Sequence, residues 1–279
     1  MTMNGRGRVI VTGASTGIGE ATARHLRDLG FSVLAGVRCD EDAERLRAYG
    51  LTPLRLDVAV PEQISVARVE VGDQPLAGLV NNAGIICSGP LEFVPVEDVR
   101  QQLEVNVIGQ LAVTQAFLNA LRVGRGRIVN VGSMSGLLAT PITGPYVTSK
   151  FALEGMTDVL RRELLHQGID VVMVEPGGVK TPIMGKITRR IEQAHREGPP
   201  ELRQRYGAMM TTAIQITNNI DQRAGVDASV VAKVIGKALT VRRPRTRYLV
   251  GRDAILAATM AKFVPDRVID RLLLKLMAS

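Results

Sequence analysis

The chain has 279 residues, 46% of them hydrophobic but only 3% aromatic and none Trp, enough for one large α/β domain or two small ones. Two cysteines, Cys39 and Cys87, exclude a disulfide framework, and neither lies in a metal-ligand spacing, so no metal is expected. The net charge of +8 is spread over "RVGRGR" (Arg122 to Arg127), "TRR" (Thr188 to Arg190) and "RRPRTR" (Arg242 to Arg247), with almost no interleaved aromatics. That pattern argues for solvated loops or an anionic small ligand and against a nucleic-acid face. No apolar run approaches the roughly 20 residues of a membrane span, and a soluble cytoplasmic protein is expected.

Strand-like and helix-like segments alternate along the chain. Val9 to Thr12, Phe31 to Val37, Pro53 to Val58, Gly78 to Asn81, Arg127 to Val131 and Ile169 to Val174 read as strands. Gly19 to Leu29, Ala43 to Tyr49, Pro61 to Val71, Val96 to Leu121 and Tyr146 to His166 read as helices between them. Such alternation implies right-handed βαβ crossovers, hence a doubly wound parallel α/β sheet of Rossmann type with helices on both faces. Arg247 to Val250 would add a strand at an edge. The pattern breaks over residues 183–226, where Pro199 and Pro200 sit among mixed charge and scattered Met; two or more helices outside the sheet are expected, either a substrate lid or a purely structural excursion. The whole of 1–279 then forms a single domain with a helical tail over 251–279. The tail's "VPDRVIDRLLLKLMAS" aligns Val268, Ile269, Leu272, Leu273 and Leu276 in one stripe, which is expected to pack on the domain or on a partner subunit rather than on a membrane.

The stretch "VTGASTGIGEATARHLRDLG" places Gly13, Gly17 and Gly19 between the first strand and its helix. Unpaired N–H groups and the positive end of a helix dipole would meet there, an arrangement suited to a pyrophosphate. Further along come "NNAG" (Asn81 to Gly84), Asn106 in "LEVNVIG", "VNVGSMSG" with Ser133, "YVTSK" (Tyr146 to Lys150) and "EPGGVKT" (Glu175 to Thr181). This ordered set resembles the short-chain dehydrogenase/reductase family over about residues 8 to 182, and "LAGVRCDEDAERL" and "YVTSKFALEGMTDVLRREL" look most like its 17β-hydroxysteroid and retinol dehydrogenase branch.

The resemblance implies an NAD(P)-dependent oxidoreductase acting on a bulky apolar alcohol or its carbonyl counterpart. It assigns catalysis to Asn106, Ser133, Tyr146 and Lys150: Tyr146 as the acid/base, Lys150 to lower its pKa and bind the nicotinamide ribose, Ser133 on the substrate oxygen, and Asn106 anchoring a water that links Lys150 to solvent. It assigns the cofactor to Gly13, Ser15, Thr16, Gly17, Ile18, Gly19, Arg38, Asp57, Val58, Asn82, Ala83, Gly84, Tyr146, Lys150, Pro176, Gly177, Val179 and Thr181. Tyr146 and Lys150, four apart, share one helix face. No acid ends the second strand, where Gly36 is followed by Arg38, so NADP(H) is favoured with NAD possible. The glycine turn carries Ser15 and Thr16 where many relatives place a second basic residue. A carrier-linked 3-oxoacyl reductase, with Arg189, Arg190, Arg203 and Arg205 meeting an acidic carrier, and a non-catalytic dinucleotide sensor are the rival readings. The resemblance further implies a homodimer or homotetramer.

Overall fold

The structure, a computed structural model, describes residues 5–277. Strands β1 (Arg8–Val11), β2 (Ser32–Val37), β3 (Thr52–Arg55), β4 (Leu76–Asn81), β5 (Arg127–Val131), β6 (Asp170–Pro176) and β9 (Arg247–Val250) form one sheet in the order β3-β2-β1-β4-β5-β6-β9. Every pairing in it is parallel. The strand order reverses between β1 and β4, and at such a point the loops beyond the strand ends diverge and leave a crevice.

Side chains leave a strand alternately on its two faces, and the burial follows that period. Val9, Val11, Val129, Val131, Val172 and Val174 pack towards α1 (Gly17–Asp28) and α9 (Ala228–Thr240). Ile10, Ile128 and Val171 pack towards α3 (Pro61–Val71), α5 (Gly109–Gly124) and α6 (Gly144–Leu164), whose Ile64, Phe117 and Leu164 complete that layer. Both faces are thereby dry, which is why the central strands read as continuous apolar runs.

Several boundaries differ from the sequence reading, each for a local reason. Helix α2 (Asp40–Ala48) starts earlier than Ala43, since Asp40, Glu41 and Asp42 all suit the positive end of the helix dipole. Strand β3 stops at Arg55 rather than Val58: Leu56 still donates to the carbonyl of Val37, the last residue of β2, and Asp57 then accepts from Ala59 N in a turn. The helix expected over Val96 to Leu121 is divided into α4 (Val96–Leu103) and α5 by one π turn, Glu104–Ile108, which carries Asn106. Helix α9 had no counterpart in the sequence reading. It packs on α1 and on the sheet with Val231, Ala232, Ile235, Gly236, Ala238 and Leu239 buried.

Residues 183–226 fall into α7 (Pro182–Glu197), α8 (Pro200–Asn219) and a second π turn, with Pro199 and Pro200 at the junction. A short parallel pair, β7 (Val179–Lys180) with β8 (Val226–Asp227), ties the two ends of this excursion together. Ile187, Ile191, Leu202 and Met210 give it an apolar core of its own, closed by Met277. The tail forms α10 (Arg252–Phe263) and α11 (Asp266–Met277). Of the expected stripe only Ile269 is buried; Val268, Leu272 and Leu276 stay exposed, and α11 packs mainly on α8. Both cysteines are free, and among the described residues no cluster of His, Cys, Asp and Glu could hold a metal. No described helix is long and apolar enough to cross a membrane.

Candidate active site

The glycine turn after β1 is held from β4. The Thr12 hydroxyl accepts from the main-chain N–H groups of Asn82 and Ala83, both at 3.0 Å, while the Asn82 side chain donates to the carbonyls of Thr12 and Gly13 at 3.0 and 3.1 Å. "TG" and "NNAG" are therefore two halves of one hydrogen-bonded unit. Gly13 has φ +62°, and a Cβ there would lie 2.9 Å from Ala83 Cα. A Cβ on Gly19 would run into the Gly13 carbonyl and come within 2.5 Å of Asn82 Nδ2. Tight packing of the turn on itself thus accounts for part of the glycine content. The rest faces outward: α1 begins without a side-chain cap at Thr16, which leaves its first N–H groups to whatever occupies the cleft. That donor set fits the diphosphate of a dinucleotide.

A cleft of about 390 Å³ opens at the β1/β4 divergence and is lined by all of the residues that the sequence singled out, from Gly13 to Thr181. Ser133 lies two residues beyond β5, and its hydroxyl accepts from Ser135 N at 3.2 Å. Tyr146 and Lys150 project from the first turns of α6, with Lys150 Nζ 5.6 Å from the Tyr146 ring centre. Lys150 Nζ donates to the Val131 carbonyl at 2.8 Å, anchoring α6 to the end of β5.

The sequence reading has Lys150 and the charge of an oxidised nicotinamide together lower the Tyr146 pKa; the protein's own groups act in the other direction. Burial pushes the Tyr146 phenol up, offset in part by a hydrogen bond with Ser133. Burial also pulls Lys150 down to about 8, against the opposing charge of Glu154. Both groups are driven towards their neutral forms, because desolvation penalises the charged form of each and no positive charge faces the phenol at hydrogen-bonding distance.

Asn106 is fully buried in the π turn. Its Oδ1 accepts from Ile85 N at 2.9 Å, and its Nδ2 donates to the Ile85 carbonyl and to Ser149 Oγ at 3.0 and 3.1 Å. Both amide hydrogens are thus committed to the framework, and one lone pair of Oδ1 is what this side chain can offer a relay water. A buried chain runs beside it: Asn81 Nδ2 donates to Asn130 Oδ1 and Thr114 Oγ1, and Asn130 Nδ2 to Thr157 Oγ1. It ties β4, β5, α5 and α6 together beneath the cleft.

At the other end of the cleft Arg38 is 70% exposed, with Nη1 3.9 Å from Asp57 Oδ2, so its guanidinium is free to meet a ligand. Asp42 lines the same wall, its carboxyl held below the usual range first of all by the hydrogen bond from Arg45. Sequence reasoning missed Arg45, which also donates to the Ser15 carbonyl and to Glu20 at 2.7 Å and so braces the glycine turn from α2. It missed Asp253 as well. The Asp253 carboxylate accepts from Gly178 N at 2.6 Å and occupies the space where a Cβ on Gly177 would go. The first glycine of "EPGG" is therefore required by the start of α10, and the bond from Gly178 N to Asp253 spans 75 residues of sequence with no local signal.

Residues 8–192 match the short chain dehydrogenase family. The chain belongs to that family. Among curated relatives of this short-chain dehydrogenase, the human 17-beta-hydroxysteroid dehydrogenase type 6 is 36% identical over 276 residues, covering 95% of this chain and 87% of its own. An NADPH-dependent 3-dehydrocapnine reductase from Ornithobacterium rhinotracheale is 34% identical, with 95% of both chains covered. A solved short chain dehydrogenase from Burkholderia cenocepacia J2315 in complex with NADP superposes with a TM-score of 0.75 at 26% identity, covering 98% of this chain and 99% of that one. The short-chain dehydrogenase described here is accordingly an oxidoreductase of Rossmann type, as the motif order implies.

Proposed function

We propose that this chain is an NADP(H)-preferring oxidoreductase that interconverts a bulky apolar secondary or primary alcohol and its ketone or aldehyde, of steroid- or retinoid-like character. The observation that carries the reading is the convergence of Ser133, Tyr146 and Lys150 on the same cleft as the uncapped start of α1. When bound, a dinucleotide would give a hydride to the carbonyl carbon or take one from the carbinol carbon. Gly13, Ser15, Thr16, Gly17, Ile18 and Gly19 would hold its diphosphate, Asp57 and Val58 its adenine, and Pro176, Gly177, Val179 and Thr181 its nicotinamide end.

Ser133 donates a hydrogen bond to the substrate oxygen and orients it towards Tyr146. In reduction Tyr146 gives its proton to that oxygen as charge develops there; in oxidation it takes the proton back. Lys150, held against Val131 O, presents its charge to the ribose hydroxyls and the phenol. Arg38 would clamp the 2′-phosphate, and the exposure of its guanidinium supports that role. The NADPH dependence in one relative's name and the NADP in a structural neighbour point the same way. Ile86, Ile183 and Met184 line the cleft beside Tyr146 and suit an apolar substrate, with α7 and α8 acting as its lid.

The carrier-linked reading is disfavoured by where its arginines go. Arg190 pairs with Asp98, Arg205 with Glu92, and Arg203 donates to the carbonyls of His195, Arg196 and Gly198 at the end of α7. Of the four, Arg189 alone has no hydrogen bond or ion pair among the described residues. Parallel fluorescence titrations with NADPH and NADH test the cofactor assignment: tighter NADPH binding that is lost in Arg38→Ala supports it, and equal or stronger NADH binding refutes it.

A further inference from the structure

One helical turn beyond Lys150, α6 carries Glu154, and β6 carries Glu175 immediately before the Pro176–Gly177 turn of the cleft. Glu175 is 0% exposed, and its carboxyl lies within hydrogen-bonding reach of that of Glu154. One guanidinium serves both. Arg247 of β9 donates to Glu154 Oε2 from Nη2 and Nε at 2.8 and 3.1 Å, and its Nε lies 3.3 Å from Glu175 Oε1. Arg247 also donates to Asp158 Oδ1 at 2.9 Å, but Asp158 has Arg161 and Arg162 as further partners. Among the described residues, Glu154 Oε1 and both oxygens of Glu175 have no hydrogen-bond donor.

Two buried carboxylates against one guanidinium would leave an uncompensated negative charge and three unserved acceptors, a costly arrangement in a low dielectric. A single proton removes both problems. Placed on Glu175 and donated to Glu154, it cancels the excess charge and turns an acceptor–acceptor contact into a hydrogen bond. We propose that Glu154 and Glu175 share one proton at neutral pH, and that this pair, clamped by Arg247, is a positioning element that sets the charge felt by Lys150.

The charged groups around the pair are Lys150, Asp158, Arg161 and Arg162 on α6 and Arg247 on β9. Burial first, then Glu154, push the Glu175 carboxyl well above the usual range, and Arg247 offsets only part of this. Glu154 raises the Lys150 pKa against burial, so a change in the charge on Glu154 is felt at Lys150. The kinetic consequence rests on the catalytic reading of Lys150, whereas the shared proton does not.

The test therefore begins with the ligand-free protein. Infrared spectra at neutral pH in D2O are expected to contain the carbonyl stretch of a protonated buried carboxyl in the wild type, absent in Glu175→Gln. Its absence from the wild type, or its persistence in Glu175→Gln, overturns the proposal. Next, the Lys150 titration is followed by the ¹³Cε shift of labelled lysine. In Glu175→Gln the amide takes over the donation to Glu154, whose charge is kept, and the Lys150 midpoint stays within a few tenths of a pH unit; in Glu154→Gln that charge is gone and the midpoint falls by about a pH unit. An unchanged midpoint in Glu154→Gln, or a midpoint that moves by a pH unit in Glu175→Gln, refutes the positioning role. Should Glu154→Gln fail to fold, the wild-type infrared band and the Glu175→Gln midpoint decide. A wild type that turns over no alcohol or carbonyl would sink the catalytic reading and leave both spectroscopic results standing.

Discussion

Thr12→Val replaces a hydroxyl by a methyl of nearly the same shape at the junction of the glycine turn and β4. In the wild type Thr12 Oγ1 accepts from Asn82 N and Ala83 N, both at 3.0 Å, and Thr12 itself is fully buried. The valine leaves two main-chain N–H groups without an acceptor. Each unsatisfied buried donor costs about 1–3 kcal/mol, and since Asn82 and Ala83 are only half-buried the lower end applies, giving about 2–3 kcal/mol in all. The same loss lets Asn82 shift, and Asn82 Nδ2 holds the carbonyls of Thr12 and Gly13, so cofactor affinity should fall by about tenfold as well. Thr12→Ser keeps the acceptor and loses one methyl group, about 1 kcal/mol, with affinity retained. Urea unfolding and NADPH fluorescence titration read the two effects. If Thr12→Val cost less than about 0.5 kcal/mol while binding NADPH as tightly as the wild type, the hydrogen-bonded coupling of turn and strand would be wrong.

Three other outcomes are expected. Lys150 has a folded-state pKa near 8, below that of the unfolded chain, so between about pH 8 and 10 the unfolded state binds more protons and ligand-free stability rises with pH by up to about 1.4 kcal/mol per unit; the slope should vanish in Lys150→Met, as urea midpoints across that range will reveal. Arg38→Ala should weaken NADPH binding by about tenfold and leave NADH binding unchanged in parallel titrations. Asp253→Ala removes the acceptor of Gly178 N at 2.6 Å and should cost about 1–2 kcal/mol together with cofactor affinity, whereas Asp253→Asn, which keeps an acceptor oxygen, should recover most of both.

What the sequence disclosed about this molecule follows from the range of the interactions involved. The parallel sheet was legible because runs such as Val9 to Thr12 and Ile169 to Val174 are buried on both faces, and the glycine turn because its spacing is local. The residues lining the cleft could be named because the motif order fixes them along a single topology. Helix α9 was missed although Val231, Ile235 and Leu239 recur along its buried face, and the π turn at Asn106 was missed because one extra backbone residue in a turn leaves no mark on an apolar pattern. Arg45, Asp253 and the pair Glu154 with Glu175 were invisible for a different reason. Each acts on a carbonyl, an N–H group or a carboxyl that the fold brings close from another element, and no spacing rule reports that. The upward push of burial on Tyr146, offset in part by Ser133, was likewise invisible, because it depends on what the fold packs around the ring.

The central claim is that Tyr146 moves the proton while the glycine turn holds the dinucleotide, and the most direct test measures both in one pair of proteins. Wild type and Tyr146→Phe are titrated with NADPH by fluorescence and then assayed for NADPH oxidation against a panel of steroid and retinoid carbonyl compounds. The account predicts matching NADPH affinities, turnover by the wild type with at least one compound, and loss of that turnover in Tyr146→Phe. Turnover retained by Tyr146→Phe would contradict it.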